Sequence, residues 1–107
     1  MTRWQQLNIY INETDSWHHQ PLYTALMETA RDRFLAGVTV TRASAGFGES
    51  RRIRTTNIMA VSADLPLVVT VIDREDAIAS FLPIVRSMVK SGLICLQTVE
   101  VLEPVLH

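Results

Sequence analysis

Residues 65–72, Leu65-Pro66-Leu67-Val68-Val69-Thr70-Val71-Ile72, decide the fold. The run is rich in β-branched residues, which favour a pleated strand. It is apolar on both alternating faces, as a central strand covered on both sides should be. Proline donates no backbone hydrogen bond, so Pro66 fits only near the start. Beyond it, Asp73 is placed to cap a second helix, with Glu75 and Asp76 in a first turn that favours negative charge. Ile78, Phe81, Leu82, Val85 and Val89 then form one apolar stripe at helical spacing. Pro83 lies inside that stripe and removes one backbone hydrogen bond, nominally costing about 3 kcal/mol. Because the stripe stays in phase to Val89, a kink is expected rather than a break. Gly92 ends the helix, and Leu93 to Leu102 reads as a last strand closed by Glu103-Pro104.

On the other side of the run, Leu7, Ile9 and Ile11 alternate with Asn8, Tyr10 and Asn12, the period of a first strand. A polar stretch from Glu13 to Gln20 follows. Leu22, Leu26, Ala30 and Phe34 recur every fourth residue, with Tyr23 and Met27 widening the stripe, which predicts a first helix. Pro21 suits its first turn and Gly37 a left-handed C-terminal cap. Val38 to Arg42 is a β-branched second strand. It leads through Ala43-Ser44-Ala45 into Gly46-Phe47-Gly48, and from Glu49 to Asp64 no clean periodicity holds, so a long loop with room for local structure is expected, mobile without ligand from about Glu49 to Ala63.

The order is strand, helix, two strands, helix, strand. Right-handed crossovers of this length give an α+β, ferredoxin-like βαββαβ sandwich: a four-stranded antiparallel sheet with two helices on one face. The first and third strands lie in the middle. The helix-free face carries one apolar row of the third strand and needs cover, for which self-association is the economical answer.

With 107 residues there is room for a single domain, 1–107, and one core. The 48% hydrophobic and 20% charged composition is ordinary for a folded globular protein and argues against disorder. A net charge of −1 and a pI near 6.3 point to neither nucleic acid nor a membrane surface. The lone Cys95 excludes an internal disulfide framework and reads as a buried, inert thiol. The amino terminus lacks a signal-peptide layout and no apolar run is long enough to span a bilayer, so a cytoplasmic protein without membrane insertion is expected.

Four of the nine arginines, Arg42, Arg51, Arg52 and Arg54, fall within thirteen residues beside Gly46-Phe47-Gly48, opposed locally by Glu49 alone. Such a cluster holds a phosphate or carboxylate through charge-assisted, often bidentate bonds. Flanking glycines let backbone N–H groups approach the anion. A solvated loop, or pairing with acids of a neighbouring subunit, accounts for the same arginines. Ser50, Thr55 and Thr56 can join an anion site or serve as ordinary loop residues. His18-His19 invites a metal reading, but adjacent side chains point apart and no ligand spacing accompanies them. No nucleophile turn, phosphate loop or paired-histidine metal motif is present, so no catalytic residue is assigned and an enzyme is not expected.

The ordered set Leu7-Asn8-Ile9-Tyr10-Ile11, Pro21-Leu22-Tyr23, Ala36-Gly37-Val38-Thr39-Val40, Ala45-Gly46-Phe47-Gly48, Asp64-Leu65-Pro66, Phe81-Leu82-Pro83, Met88-Val89 and Gly92-Leu93-Ile94 resembles the PII-like superfamily, in the branch catalogued as domain of unknown function family 190. The resemblance implies a homotrimer that buries the helix-free face at its axis. It implies a signalling role, and a mobile loop that meets protein partners such as a transporter or channel. It also implies a ligand cleft between subunits, which in PII proteins binds adenine nucleotides. Gly46-Phe47-Gly48 resembles the Gly-Phe-Gly at the base of the PII loop. Two departures stand out. Ser91-Gly92 passes directly into Leu93-Ile94-Cys95 where PII proteins carry a second glycine-rich phosphate loop. The tyrosine modified in some PII loops has no counterpart, since the tyrosines here are Tyr10 and Tyr23. The readings that stay open are a sensor of an adenine nucleotide or another anion, a ligand-free adaptor acting through residues 43–64, and a metal-tolerance trimer resting on the histidines.

Overall fold

The computed structural model describes residues 3–48, 50–55 and 64–102. Strand β1 spans Trp4–Asn12 and a hairpin follows from β2 (Ser16–Trp17) and β3 (Gln20–Pro21). Helix α1 covers Leu22–Asp32, β4 Gly37–Arg42, β5 Ala45–Gly46 and β6 Arg54–Thr55. Strand β7 (Pro66–Arg74), helix α2 (Glu75–Met88) and β8 (Leu93–Val99) complete the elements of the described residues. The main sheet has the order β4-β7-β1-β8 with every pairing antiparallel. The run that decides the fold is therefore central, beside β1, as its double apolarity requires.

Leu7, Ile9 and Ile11 of β1 and Leu67, Val69 and Val71 of β7 share one face. Against it pack Leu22, Ala25, Leu26 and Ala30 of α1 and Ile78, Phe81, Val85 and Met88 of α2. Each large apolar side chain removed from water here contributes about 1.5–3 kcal/mol, so this single layer is the core. Helix α2 continues through Pro83.

The alternate residues form the helix-free face. Thr39, Thr70, Asn8 and Cys95 make one row across four strands, and Thr41, Val68, Tyr10 and Leu93 the next. The face is thus more polar at its centre than the third strand alone foretold. Asn8, only 7% exposed, accepts hydrogen bonds at Oδ1 from Gln6 Nε2 (3.1 Å) and Thr70 Oγ1 (3.0 Å). Cys95 is half-buried in the same row.

Three sequence expectations are corrected. Asp73 does not cap α2; it is the penultimate residue of β7, where Oδ2 accepts the Ala36 N–H (2.9 Å) and Oδ1 the Arg74 N–H (2.6 Å). The cap position belongs to Arg74, and the Glu75 N–H is satisfied by the Arg3 carbonyl at 2.8 Å. Gly37 does not end α1. The helix closes with Phe34 N–H bonding to Arg31 O (3.0 Å) and Leu35 N–H to Ala30 O (3.0 Å), so the left-handed residue is Phe34, at φ 62°. Phe34 consequently leaves the buried stripe and Ala25 takes its place in the core. The polar stretch 13–20 also contains structure: Trp17 pairs Gln20 around a two-residue turn in which His18 and His19 both have positive φ, the geometry that matches strand twist.

Candidate functional site

The candidate site grows out of the end of β4. After Arg42, the Ala43 N–H donates to Pro66 O at 2.9 Å, which keeps the chain beside β7. Gly46 then pairs with Arg54 and Ala45 with Thr55, forming a short ribbon that joins the start of the loop to its middle. Beyond it Phe47 is exposed, and the Arg51 N–H closes a turn onto Gly48 O at 2.8 Å. Arg51 has φ 59°, and its guanidinium lies 5.5 Å from the Phe47 ring centroid. That is within range of a cation–π contact, which orients the cation without neutralising it.

The four arginines divide into two pairs. Arg42 forms an ion pair with Glu13, and Arg54 Nε donates to Asp64 Oδ2 at 2.8 Å. Arg54 also reaches Ser50 Oγ (3.3 Å) and the Arg52 carbonyl (3.4 Å), so it ties the ribbon to the turn above. Arg51 and Arg52 face no carboxylate among the described residues. Glu13 and Asp64 are themselves linked to one region: the Glu13 N–H donates to Leu65 O (2.8 Å) and Thr14 Oγ1 to Asp64 Oδ1 (2.8 Å). Arg42 thus ties the start of the loop to the turn after β1, and Arg54 ties its middle to Asp64, which is itself bonded to that turn; Arg51 and Arg52 lie exposed above this base. Thr56 and most of the long loop lie outside the described residues, as does the sequence expectation of its mobility.

Burial alone would push the Asp64 carboxyl up. Hydrogen bonds from Thr14 and Arg54, with the Arg54 charge beside it, outweigh that and hold it below the ordinary carboxylate value. A depressed carboxylate contributes stability that is present above its unfolded value and is lost as pH falls through its folded value. Above about pH 5 the parent is expected to exceed Asp64→Asn by roughly 1 kcal/mol. The gap should close on acidification below about pH 4, as read from denaturant unfolding at stepped pH. A gap independent of pH would mean that the carboxylate charge does not anchor the loop.

Glu13 and Asp64 were not legible as partners of the arginines, being 29 and 10 residues away from them in sequence. His18 and His19 sit at the hairpin tip, His18 stacked on Trp17 at 3.7 Å. Among the described residues no three His, Cys, Asp or Glu side chains converge. Nor is any helix among them long and apolar enough to cross a membrane.

The four-stranded antiparallel sheet is backed by two helices and carries a glycine-aromatic-glycine turn at the root of the loop between its second and third long strands. Two solved structures share this fold. CPII from Thiomonas intermedia K12 bound to ADP and bicarbonate superposes with a TM-score of 0.61 at 18% identity, covering 95% of this chain and 91% of that one. The same organism's CPII, a nitrogen regulatory PII-like protein bound to ADP, AMP and bicarbonate, gives 0.64 at 15% identity with the same coverage. The chain belongs to the DUF190 family, described as "Uncharacterized ACR", whose model matches residues 4–101. A UPF0166 protein of Aquifex aeolicus (strain VF5) is 40% identical over 96 residues, 90% of each chain. A UPF0166 protein of Methanocaldococcus jannaschii is 29% identical over 89 residues, 82% of each.

Proposed function

We propose that this chain is a non-enzymatic, trimeric PII-like regulator that binds a small anion, with adenine nucleotides the leading class, at Gly46, Phe47, Gly48, Arg51 and Arg52. The observation that carries the reading is the division of the arginines. Arg42 and Arg54 are neutralised by Glu13 and Asp64, whereas Arg51 and Arg52 face no carboxylate among the described residues and rise beside two glycines. Guanidiniums so placed form charge-assisted bonds to a phosphate or carboxylate. The resemblance in fold to proteins bound to ADP and bicarbonate supports the same class of ligand. A second copy supplies the other wall of the cleft, and the mixed polar and apolar sheet face is its contact.

A melting-temperature screen of the purified protein against ADP, AMP, ATP, bicarbonate and phosphate tests this, since binding to the folded state alone raises the midpoint. Stabilisation by at least one of them is the expected result. No stabilisation by any member would favour the second reading, a ligand-free adaptor for a protein partner such as a transporter or channel. That reading rests on the exposure of Phe47 and Ile53 at the ribbon's outer end.

A further inference from the structure

At the opposite end of the sheet from Arg42 lies an open groove of about 710 Å³, bounded by the start of β1, the end of α1 and the end of β7. Its size falls in the range of small-molecule sites. Trp4, Met27 and Phe34 give it apolar walls, and Arg31 and Arg74 stand along them. The Arg74 guanidinium lies 5.9 Å from the Trp4 ring centroid. Asp73 also borders the groove, but both its oxygens are occupied by backbone N–H groups of Ala36 and Arg74. Arg31 is paired with Asp32 at the surface, where both side chains are largely exposed and the pair is weak.

Phe34 is the telling residue. It is 90% exposed and has φ 62°, in the position after the helix where glycine is the residue of least strain. Neither the exposed ring nor the left-handed backbone helps the fold, and glycine would serve the helix end better. A strained and exposed aromatic on the wall of a groove is a feature that folding does not explain.

We propose that this groove binds a small planar aromatic anion, its ring between Phe34 and Trp4 and its carboxylate or phosphate held by Arg74 and Arg31. The site is separate from the one at Arg51 and Arg52, and stands or falls independently of it.

The test uses the Trp17→Phe protein, in which Trp4 is the remaining tryptophan, titrated with phenylacetate and with phenyl phosphate. Saturable quenching of Trp4 fluorescence by at least one of the two is expected, and which of them binds tighter identifies the anionic group. Phe34→Gly should weaken that binding at least tenfold while raising the melting temperature by roughly 4 °C, because glycine relieves the left-handed strain. A structural role for Phe34 would lower it instead. Arg74→Gln should weaken the anion about tenfold and leave the uncharged phenylacetamide unchanged, and Arg51→Ala should change neither. Absence of a saturable Trp4 response to both anions up to about 10 mM would overturn the proposal. So would a Phe34→Gly protein that binds as tightly as its parent.

Discussion

Alanine in place of Gly92 is expected to destabilise the protein by about 3–4 kcal/mol, a large part of a typical domain's 5–15. Gly92 joins α2 to β8 with φ +146°, a conformation that side chains rarely adopt. A Cβ there would press on the carbonyl oxygen of Tyr10, nearer than real Cβ atoms come to backbone. Tyr10 is rooted in β1, which pairs on one side with β7 and on the other with β8, so neither partner can move aside cheaply. Relief would require β8 to slip or peel from β1. Denaturant unfolding of Gly92→Ala and of the parent should show the loss in midpoint. A change below about 1 kcal/mol would mean that this turn relaxes freely. The resemblance to PII proteins leads one to seek a second phosphate loop here. The geometry instead shows a glycine held against the sheet backbone.

In the proposed trimer, glutamate at Val68 is expected to dissociate the assembly. Val68 lies on the helix-free face beside Tyr10 and Thr41, with Leu93 completing the row. A charge buried there in every copy would meet no partner, and burying an unpaired carboxylate costs several kcal/mol. Light scattering should report about three times the 12.1 kDa chain mass for the parent and a single chain mass for Val68→Glu. The core on the opposite face should stay folded, with helix content retained. A variant that keeps the parent's mass would place the interface elsewhere.

Much of this fold is written in local periodicity. The strand at Leu7–Ile11 alternates cleanly, Leu67–Ile72 is apolar on both faces as a central strand is, and the stripe from Ile78 to Val85 repeats at helical spacing, so sheet order and layer arrangement follow from handedness. The misreadings fall where a local signal competed with a tertiary one. Gly37 carries the strongest local signal for a helix end, yet the helix closes earlier on Phe34, which local preference disfavours there. Asp73 has the residue type of a cap, but the Ala36 N–H across the sheet claims its carboxylate. The hairpin at 16–21 escaped notice because His18-His19 lacks the Asn-Gly or Gly-Gly signature of its turn. For the candidate site, sequence clustering brought the four arginines into view. It could not divide them, because Glu13 and Asp64 reach Arg42 and Arg54 only once the sheet has formed.

That division is the centre of the functional account, and one calorimetric comparison tests it. The strongest ligand from the nucleotide and anion screen is titrated into the parent and into Arg51→Ala and Arg52→Ala, each first confirmed to keep the parent's mass and melting temperature. Loss of a charge-assisted contact costs about 1.5–3 kcal/mol, so each variant should bind roughly ten- to a hundredfold more weakly. Affinity unchanged in both would contradict the account, placing the ligand away from the Gly46-Phe47-Gly48 turn.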